Sequence, residues 1–111
     1  MSKGDQKEIH ELLQTPIDKV IHEPARLKIL LFLNSVESAD FIFLLRKIGL
    51  SKGNLSSHIS KLENEGYVYI DKSFIDKVPR TIISITEQGQ KALYDYQKTM
   101  VMLLNLVDEK R

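Results

Sequence analysis

Hydrogen-bonding side chains are concentrated in one short segment of the chain, KGNLSSHISK, residues 52–61. Serine and asparagine are poor choices for a helix interior, because their side chains compete for backbone hydrogen bonds. Their chemistry is to donate and accept hydrogen bonds. No nucleophile–base pair, glycine-rich phosphate loop or acidic cluster stands out in the sequence. The sequence therefore predicts a binding protein and not an enzyme.

Positive charge surrounds the same segment, although the chain as a whole is nearly neutral. The formal net charge is +1, which gives no global indication of a nucleic-acid partner. Residues 41–62 nevertheless hold four cations and no acid, and acids return at Glu63 and Glu65. The four cations are Arg46, Lys47, Lys52 and Lys61. A solvated helix face more often mixes both signs, so the pattern favours a basic surface here.

Composition excludes several other classes of site. The 111 residues predict a single domain, 1–111, with an ordinary apolar content of 42%. The absence of cysteine excludes disulfides and zinc–thiolate sites. His10, His22 and His58 have no metal-ligand spacing, so no metal and no cofactor are predicted. No signal peptide and no membrane-spanning run is visible, which predicts a cytoplasmic protein without a membrane partner.

Two short helices joined by a tight turn position the polar segment. Asp40 can cap the first helix, FIFLLRKI, which Gly49 closes. Ser51 is a good N-cap for the second helix, residues 51–65, and Gly66 ends it. The apolar stripe of the second helix consists of Leu55, Ile59 and Leu62. Two helices separated by a glycine-containing turn form the helix-turn-helix pattern.

The remaining elements flank this pair. A helix is predicted over residues 7–21, with a step at Thr15–Pro16, and a central core helix begins near Pro24, where Glu23 is a poor N-cap. After Gly66 the period changes, and residues 67–72 and 80–85 predict a β-hairpin with a long tip. Thr86 then caps a final helix, 87–109, whose apolar stripe has the 3.5-residue period of a helix–helix interface.

This order of elements is that of a winged helix, a mainly α fold with a small β-hairpin (α+β), here with an added C-terminal dimerisation helix. The segments EPARLKILLFL, GLSKGNLSSHISKLENEGYV and PRTIISITEQGQKAL resemble the small winged helix-turn-helix transcriptional regulators related to the MarR and ArsR families. The resemblance covers about residues 20–95. It implies a homodimer that binds double-stranded DNA, with helix 51–65 in the major groove and wing 72–80 on the backbone or in the minor groove.

The resemblance also implies the residues of each surface. Short side chains let a recognition helix approach base edges closely, and asparagine can pair with adenine. The expected DNA-binding residues are Arg46, Lys47, Lys52, Gly53, Asn54, Ser57, His58, Lys61, Lys72, Lys77 and Arg80. The expected dimer interface is formed by Ile9, Leu12, Leu13, Leu93, Tyr96, Met100, Leu103, Leu104 and Val107. A small-molecule effector would be expected in a cleft between the dimer helix and the DNA-binding core.

Several alternatives remain open at the level of sequence. The near-neutral charge is compatible with a winged helix that binds another protein and reads no DNA, and RNA binding is a weaker third hypothesis. Arg80 could instead pair with Glu63 or Asp71, and Arg26 could cap or pair inside the protein.

Overall fold

A helix-turn-helix and a β-hairpin lie between an N-terminal and a C-terminal helix in the computed structural model, which describes residues 3–110 and the side chains of residues 7–108. The elements are α1 (Lys3–Leu13), α2 (Pro24–Asn34), β1 (Ala39–Asp40), α3 (Phe41–Ile48), α4 (Lys52–Asn64), β2 (Val68–Ile75), β3 (Val78–Ile85) and α5 (Glu87–Leu104), with a final 3₁₀ segment at Asn105–Lys110. This is the predicted winged helix, and its three strands form an antiparallel sheet in the order β1-β3-β2.

The N-terminal helix is shorter than the sequence pattern predicted. It ends at Leu13, and the predicted helix over residues 7–21 is wrong beyond that point. Residues that precede proline avoid the helical region, which stops the helix before Pro16. The carboxylate of Asp18 then accepts hydrogen bonds from the backbone N–H groups of Val20 and Ile21, at 2.9 and 3.0 Å, and fixes a turn where the pattern indicated a helix.

Glu23 is the N-cap of the core helix α2, contrary to the prediction that it would cap poorly. Its two carboxylate oxygens accept hydrogen bonds from the N–H groups of Ala25 at 3.1 Å and Arg26 at 2.8 Å. Pro24 occupies the first helical position, where its missing N–H has no consequence. A longer carboxylate side chain can therefore replace the usual aspartate or serine at this site.

The boundaries of the helix-turn-helix follow the predicted capping chemistry. Asp40 caps α3 by accepting from Ile42 N–H at 2.8 Å, and Gly49 closes the helix with a φ of +76°. Ser51 caps α4 by accepting from Asn54 N–H at 3.2 Å. Gly66, with a φ of +85°, ends the segment. Gly49 and Gly66 both have left-handed backbone angles, which residues with a Cβ atom rarely adopt.

The wing differs from the predicted long-tipped hairpin. Its strands continue to Ile75 and Val78 and are joined by only two residues, Asp76 and Lys77, with φ values of +51° and +65°. Positive φ at both central positions is the two-residue turn that best matches the twist of a hairpin. Pro79, predicted as a turn residue, is instead paired with Phe74 within the ladder. In such a hairpin this pair is not hydrogen-bonded, so proline breaks no bond there.

A short strand that the sequence did not indicate completes the sheet. Ala39 and Asp40 pair with Ile83 and Ile82 of β3. Two residues are too few to produce a strand pattern in the sequence. The core beneath the sheet is centred on α2, whose Ile29, Leu30 and Leu33 are fully buried, and it includes the predicted stripe of α4.

The start of α5 is fixed to the end of α4 through a tight junction, here called the α4–α5 joint (Gly66, Tyr67, Thr86 and Gly89). Thr86 Oγ1 donates to the carbonyl of Gly66 at 2.6 Å and accepts from Gly89 N–H at 2.9 Å. A Cβ on Gly89 would lie 2.2 Å from the carbonyl oxygen of Tyr67. The glycine is therefore required by contact between the backbone of α5 and that of Tyr67, the residue just before the first wing strand.

Candidate nucleic-acid interface

One face of α4 consists of exposed, short or cationic side chains, whereas the opposite face is completely buried. Leu55 and Leu62 are 0% exposed and Ile59 is 3% exposed. The exposed residues of α4 are Lys52, Gly53, Asn54, Ser56, Ser57, Ser60 and Lys61, followed by Glu63 and Asn64 in its last turn. A Cβ on Gly53 would have no atom within 4 Å, so the absence of a side chain there leaves open space over the helix. The helix therefore presents hydrogen-bonding groups close to its backbone.

His58 is oriented differently from the other predicted contact residues. Its Nδ1 lies 3.1 Å from Arg26 Nη1 and 3.6 Å from a carboxylate oxygen of Glu23, and its side chain is only 22% exposed. A guanidinium can only donate, so Nδ1 accepts this hydrogen bond. The side chain thus holds α4 against the N-terminus of α2 and faces the protein. This placement disfavours the predicted role of His58 in base contact.

Arg26 and Glu23 complete this contact between helices. Arg26 is 9% exposed and also donates from Nε to the carbonyl of Val20 at 2.6 Å, which realises the predicted internal role. Burial raises the pKa of Glu23, but the hydrogen bonds from Arg26 and Ala25 N–H outweigh it and hold that pKa below its ordinary value. Glu23 is therefore ionised at neutral pH, where it neutralises the partly buried guanidinium.

The cations of α3 and the wing lie at the surface, and one of them, Arg80, is held in an ion pair. Lys72 and Lys77 are exposed, as are Arg46 and Lys47, and Lys47 Nζ lies 5.3 Å from the centre of the Phe43 ring. Arg80 Nη1 instead pairs with the Asp40 carboxylate at 3.2 Å. Neither of the two acids considered from the sequence, Glu63 and Asp71, is its partner.

The ion pair involves the same carboxylate that caps α3. Burial raises the pKa of Asp40, whereas its hydrogen bonds from Ile42 N–H and Arg80 lower it, and the net result is a pKa below the ordinary value. The Arg80 side chain nevertheless remains 47% exposed.

A notch between α4 and the wing brings the predicted contact residue Lys72 together with three hydroxyl side chains that were not predicted as contacts. Ser56 and Ser60 line it from α4, and Lys72 and Thr81 line it from the paired strands. The apolar floor is formed by Phe41, Ile59, Ile70 and Ile83, and the volume is about 260 Å³. Three hydroxyl groups and one ammonium group are a suitable set for a phosphate. The spacing of Ser56 and Ser60, one helical turn apart, was the available signal for it.

Comparison with known proteins identifies the arrangement. Residues 25–104 match the family described as winged helix DNA-binding domain. The chain belongs to this family. It is 40% identical, over 78 residues, to the uncharacterized protein MJ0432 of Methanocaldococcus jannaschii, an alignment that covers 70% of this chain and 85% of that protein.

Solved structures show the same winged helix fold over nearly the whole chain. A transcriptional regulator homologue from Pyrococcus horikoshii OT3 superimposes with a TM-score of 0.78 at 29% identity, covering 92% of this chain and 98% of that one. The structure of MarR superimposes with a TM-score of 0.72 at 16% identity, covering 97% and 81%. This winged helix protein thus has a transcriptional regulator fold of the MarR type, and its family and fold are not those of enzymes.

The winged helix protein also has an apolar cleft between α2 and α5. Leu27, Leu31 and Asn34 line it from α2. Leu93, Tyr96 and Met100, with neighbouring residues as far as Leu104, line it from α5. Its volume is about 470 Å³, within the range of small-molecule sites. Its position matches the place where the sequence analysis expected an effector.

The predicted dimer residues are not equally accessible. Leu93 and Tyr96 are buried in the core of the single chain, so they offer little surface to a second copy. Ile9, Leu12, Met100 and Leu103 are half-buried. Leu13, Leu104 and Val107 are exposed by 63%, 60% and 67%. The accessible part of the predicted interface therefore lies on α1 and on the C-terminal half of α5 and the segment beyond it.

Among the residues that the structure describes, no group of three or more His, Asp and Glu side chains could hold a metal ion. No helix within this part of the chain is both long and apolar enough to cross a bilayer.

Proposed function

We propose that this winged helix protein is a homodimeric, sequence-specific regulator that binds double-stranded DNA with α4 in the major groove. The observation that carries the proposal is the composition of the outer face of α4. A major groove about 12 Å wide admits a helix, and base edges are reached best when the intervening side chains are short. The outer face of α4 meets that requirement, because the space over Gly53 is open and the neighbouring exposed side chains, Ser56 and Ser57, are short.

Base contacts are assigned to the first turns of α4. Asn54 and Ser57 are exposed, and the side-chain amide of Asn54 makes no hydrogen bond to the described part of the protein. Lys52 lies on the same turn and can reach guanine or a phosphate. His58 is left out of this set because it is bonded to Arg26. Its role here is to orient α4.

Phosphate contacts are assigned to cations on both sides of that helix. Arg46, Lys47 and Lys61 extend from α3 and α4, and Lys72 and Lys77 extend from the wing. Such contacts supply most of the affinity and none of the sequence preference. Arg80 is also proposed to contact the DNA backbone from the wing, where its side chain pairs with Asp40.

Dimerisation is supported by the shape of the chain. Its dimensions are 67 × 24 × 21 Å and its radius of gyration is 17.8 Å. A compact chain of this length has a radius of about 13 Å. The projecting parts carry exposed Leu13, Val101 and Leu104, which a second copy would cover. Two recognition helices would then meet successive major grooves, about 34 Å apart, on a near-palindrome.

Fluorescence anisotropy tests the proposal directly. The purified protein is titrated into a labelled duplex from its own upstream region and into a scrambled duplex, across a salt series. We expect tighter binding to the upstream duplex and a steep loss of affinity with salt. Equal affinity for both duplexes would contradict sequence-specific recognition of that region. Absence of binding to either duplex at low salt would favour a winged helix that binds a protein.

A small apolar molecule is proposed as an effector. The cleft between α2 and α5 has room for one and is in contact with both the core helix and the proposed dimer helix. A ligand there can favour one α5 orientation over another only by binding the two with different affinity. The anisotropy titration, repeated with small uncharged aromatic molecules, would reveal such coupling as a shift in DNA affinity.

A further inference from the structure

The tip of the wing, residues 74–79, is apolar as well as exposed. Phe74 is 75% exposed, and Ile75 and Val78 are 48% and 49% exposed. Large exposed side chains that cluster at one point usually mark a contact surface. The tight Asp76–Lys77 turn holds them at a defined position. The cationic phosphate contacts proposed above do not account for an exposed phenylalanine.

Strand alternation assigns each tip residue to one face of the hairpin. Successive side chains of a strand point to opposite faces. Ile70 and Ile83 pack against the core beside α4, and the cross-strand pairs Lys72–Thr81 and Phe74–Pro79 follow them on the same face. Ile75 and Val78 form a pair on the opposite face. Phe74 therefore lies on the side of the wing from which α4 reads DNA.

The notch between α4 and the wing indicates how far Phe74 would lie from a DNA phosphate bound there. Lys72 lines that notch opposite Ser56 and Ser60. Phe74 is two residues further along the strand, a distance of about 6.6 Å. In a duplex that presents its major groove to α4, the groove on the far side of the flanking phosphates is the minor groove. A phosphate bound in the notch would thus place Phe74 at the edge of the minor groove.

We propose that Phe74, supported by Pro79, is an apolar wedge that enters the minor groove and partly unstacks one base step. This inference rests on the proposed function. Apolar side chains at such positions kink a duplex by separating neighbouring bases. Charge favours DNA as the occupant, because Lys72 precedes Phe74 on its own face and Lys77 lies at the turn beyond it. Asp76 is the acid of the tip, and Asp71 points to the opposite face.

The consequence is sequence preference without a hydrogen bond from the wing. Pyrimidine–purine steps such as TA and CA unstack most easily, so the wedge would select them at the wing position. Two wings in a symmetric dimer would deform the duplex at two points related by the same symmetry as the recognition helices.

The test combines binding and base stacking in one sample. The tightest duplex from the anisotropy series carries 2-aminopurine at successive adenines, whose fluorescence rises on unstacking. We expect a several-fold rise at one position per half-site with the unmodified protein. Phe74→Ala should abolish that rise and weaken binding by about fivefold to a hundredfold, as for other base–aromatic contacts. The matched control, Ile75→Ala, is at the same tip on the opposite face and should leave both signals unchanged.

The possible contrary outcomes are distinguishable. Binding without any fluorescence change, or an unchanged signal with Phe74→Ala, would overturn the wedge and leave the proposed function intact. A change in sedimentation mass with Phe74→Ala would assign the tip to contact between copies and also overturn it. Failure of the unmodified protein to bind any duplex would overturn the proposed function itself. Equal urea midpoints for the two variants would show that neither effect comes from misfolding.

Discussion

Substitution of Glu23 tests how the recognition helix is held against the core. Glu23→Ala removes two capping hydrogen bonds, from Ala25 at 3.1 Å and Arg26 at 2.8 Å, a change that typically costs about 1 kcal/mol. It also removes the carboxylate 4.0 Å from the Arg26 guanidinium. Breaking a well-formed buried ion pair costs about 3–5 kcal/mol. The long distance and the remaining bond of Arg26 to Val20 reduce this part to about 1 kcal/mol.

We therefore expect Glu23→Ala to lower the free energy of unfolding by about 2 kcal/mol. Urea unfolding followed by circular dichroism at neutral pH measures the change. Glu23→Ser is the matched control, because serine caps a helix but carries no charge, and it should lose only about half as much. An equal loss in both variants would refute the assigned role of the cap, and a loss below about 0.5 kcal/mol with Glu23→Ala would refute both contributions.

The same comparison has a defined pH dependence. Because the pKa of Glu23 is lower in the folded protein than its ordinary value of 4.5, the ionised carboxylate stabilises the fold above that pH. This stabilisation is lost as the pH falls through the lower, folded-state pKa. The difference in unfolding free energy between the unmodified protein and Glu23→Ala should therefore shrink as the pH is lowered from 6 toward 3. A constant difference would show that the charge contributes nothing.

The other predictions concern recognition, affinity, assembly and the fold. Asn54→Ala should weaken specific binding by about 1 to 3 kcal/mol and binding to random DNA very little, and equal losses in anisotropy would contradict base recognition. Lys77→Ala should weaken both equally and lower the salt slope by about one, whereas an unchanged slope would remove its phosphate contact. Leu104→Asp should give a monomer in sedimentation, since this 60%-exposed side chain makes little contribution to the single-chain core; a retained dimer would move the interface elsewhere. Gly89→Ala should lower the unfolding midpoint strongly, because its Cβ would overlap the Tyr67 carbonyl, and an unchanged midpoint would exclude that contact.

Capping and turn chemistry explain why much of the fold was predictable. Asp40, Gly49 and Ser51 cap helices through neighbouring backbone groups, so a few consecutive residues are enough to predict where each helix begins or ends. The wing was predicted less well. Asp76–Lys77 is an unusual pair for a turn with two positive φ values, which more often contains glycine or asparagine. The strand propensity of residues 73–75 and the pairing of Phe74 with Pro79 instead extend both strands as far as this turn.

The candidate site was predicted where the apolar stripe of α4 fixes which side faces outward. Asn54 and Ser57 follow from that stripe alone. The orientation of His58 does not, because it depends on Arg26, a residue 32 positions earlier in the chain. The Arg80–Asp40 pair spans 40 positions in the same way. Such pairings arise from the tertiary arrangement of helices, which local spacing does not contain.

The α4–α5 joint makes α5 a lever for the recognition helix. Its 18 residues extend about 27 Å, so a 5° tilt about the joint corresponds to a displacement of about 2 Å at the far end. Backbone contact at Gly89 and the Thr86 hydrogen bonds leave little slack for the tilt to be absorbed locally. In the proposed dimer, a small shift where the two C-terminal helices meet would therefore rotate each recognition helix as a rigid body. The contact between the C-terminal helices, which is remote from the DNA, would thus set the distance between the two recognition helices and the spacing of the half-sites that they can bind.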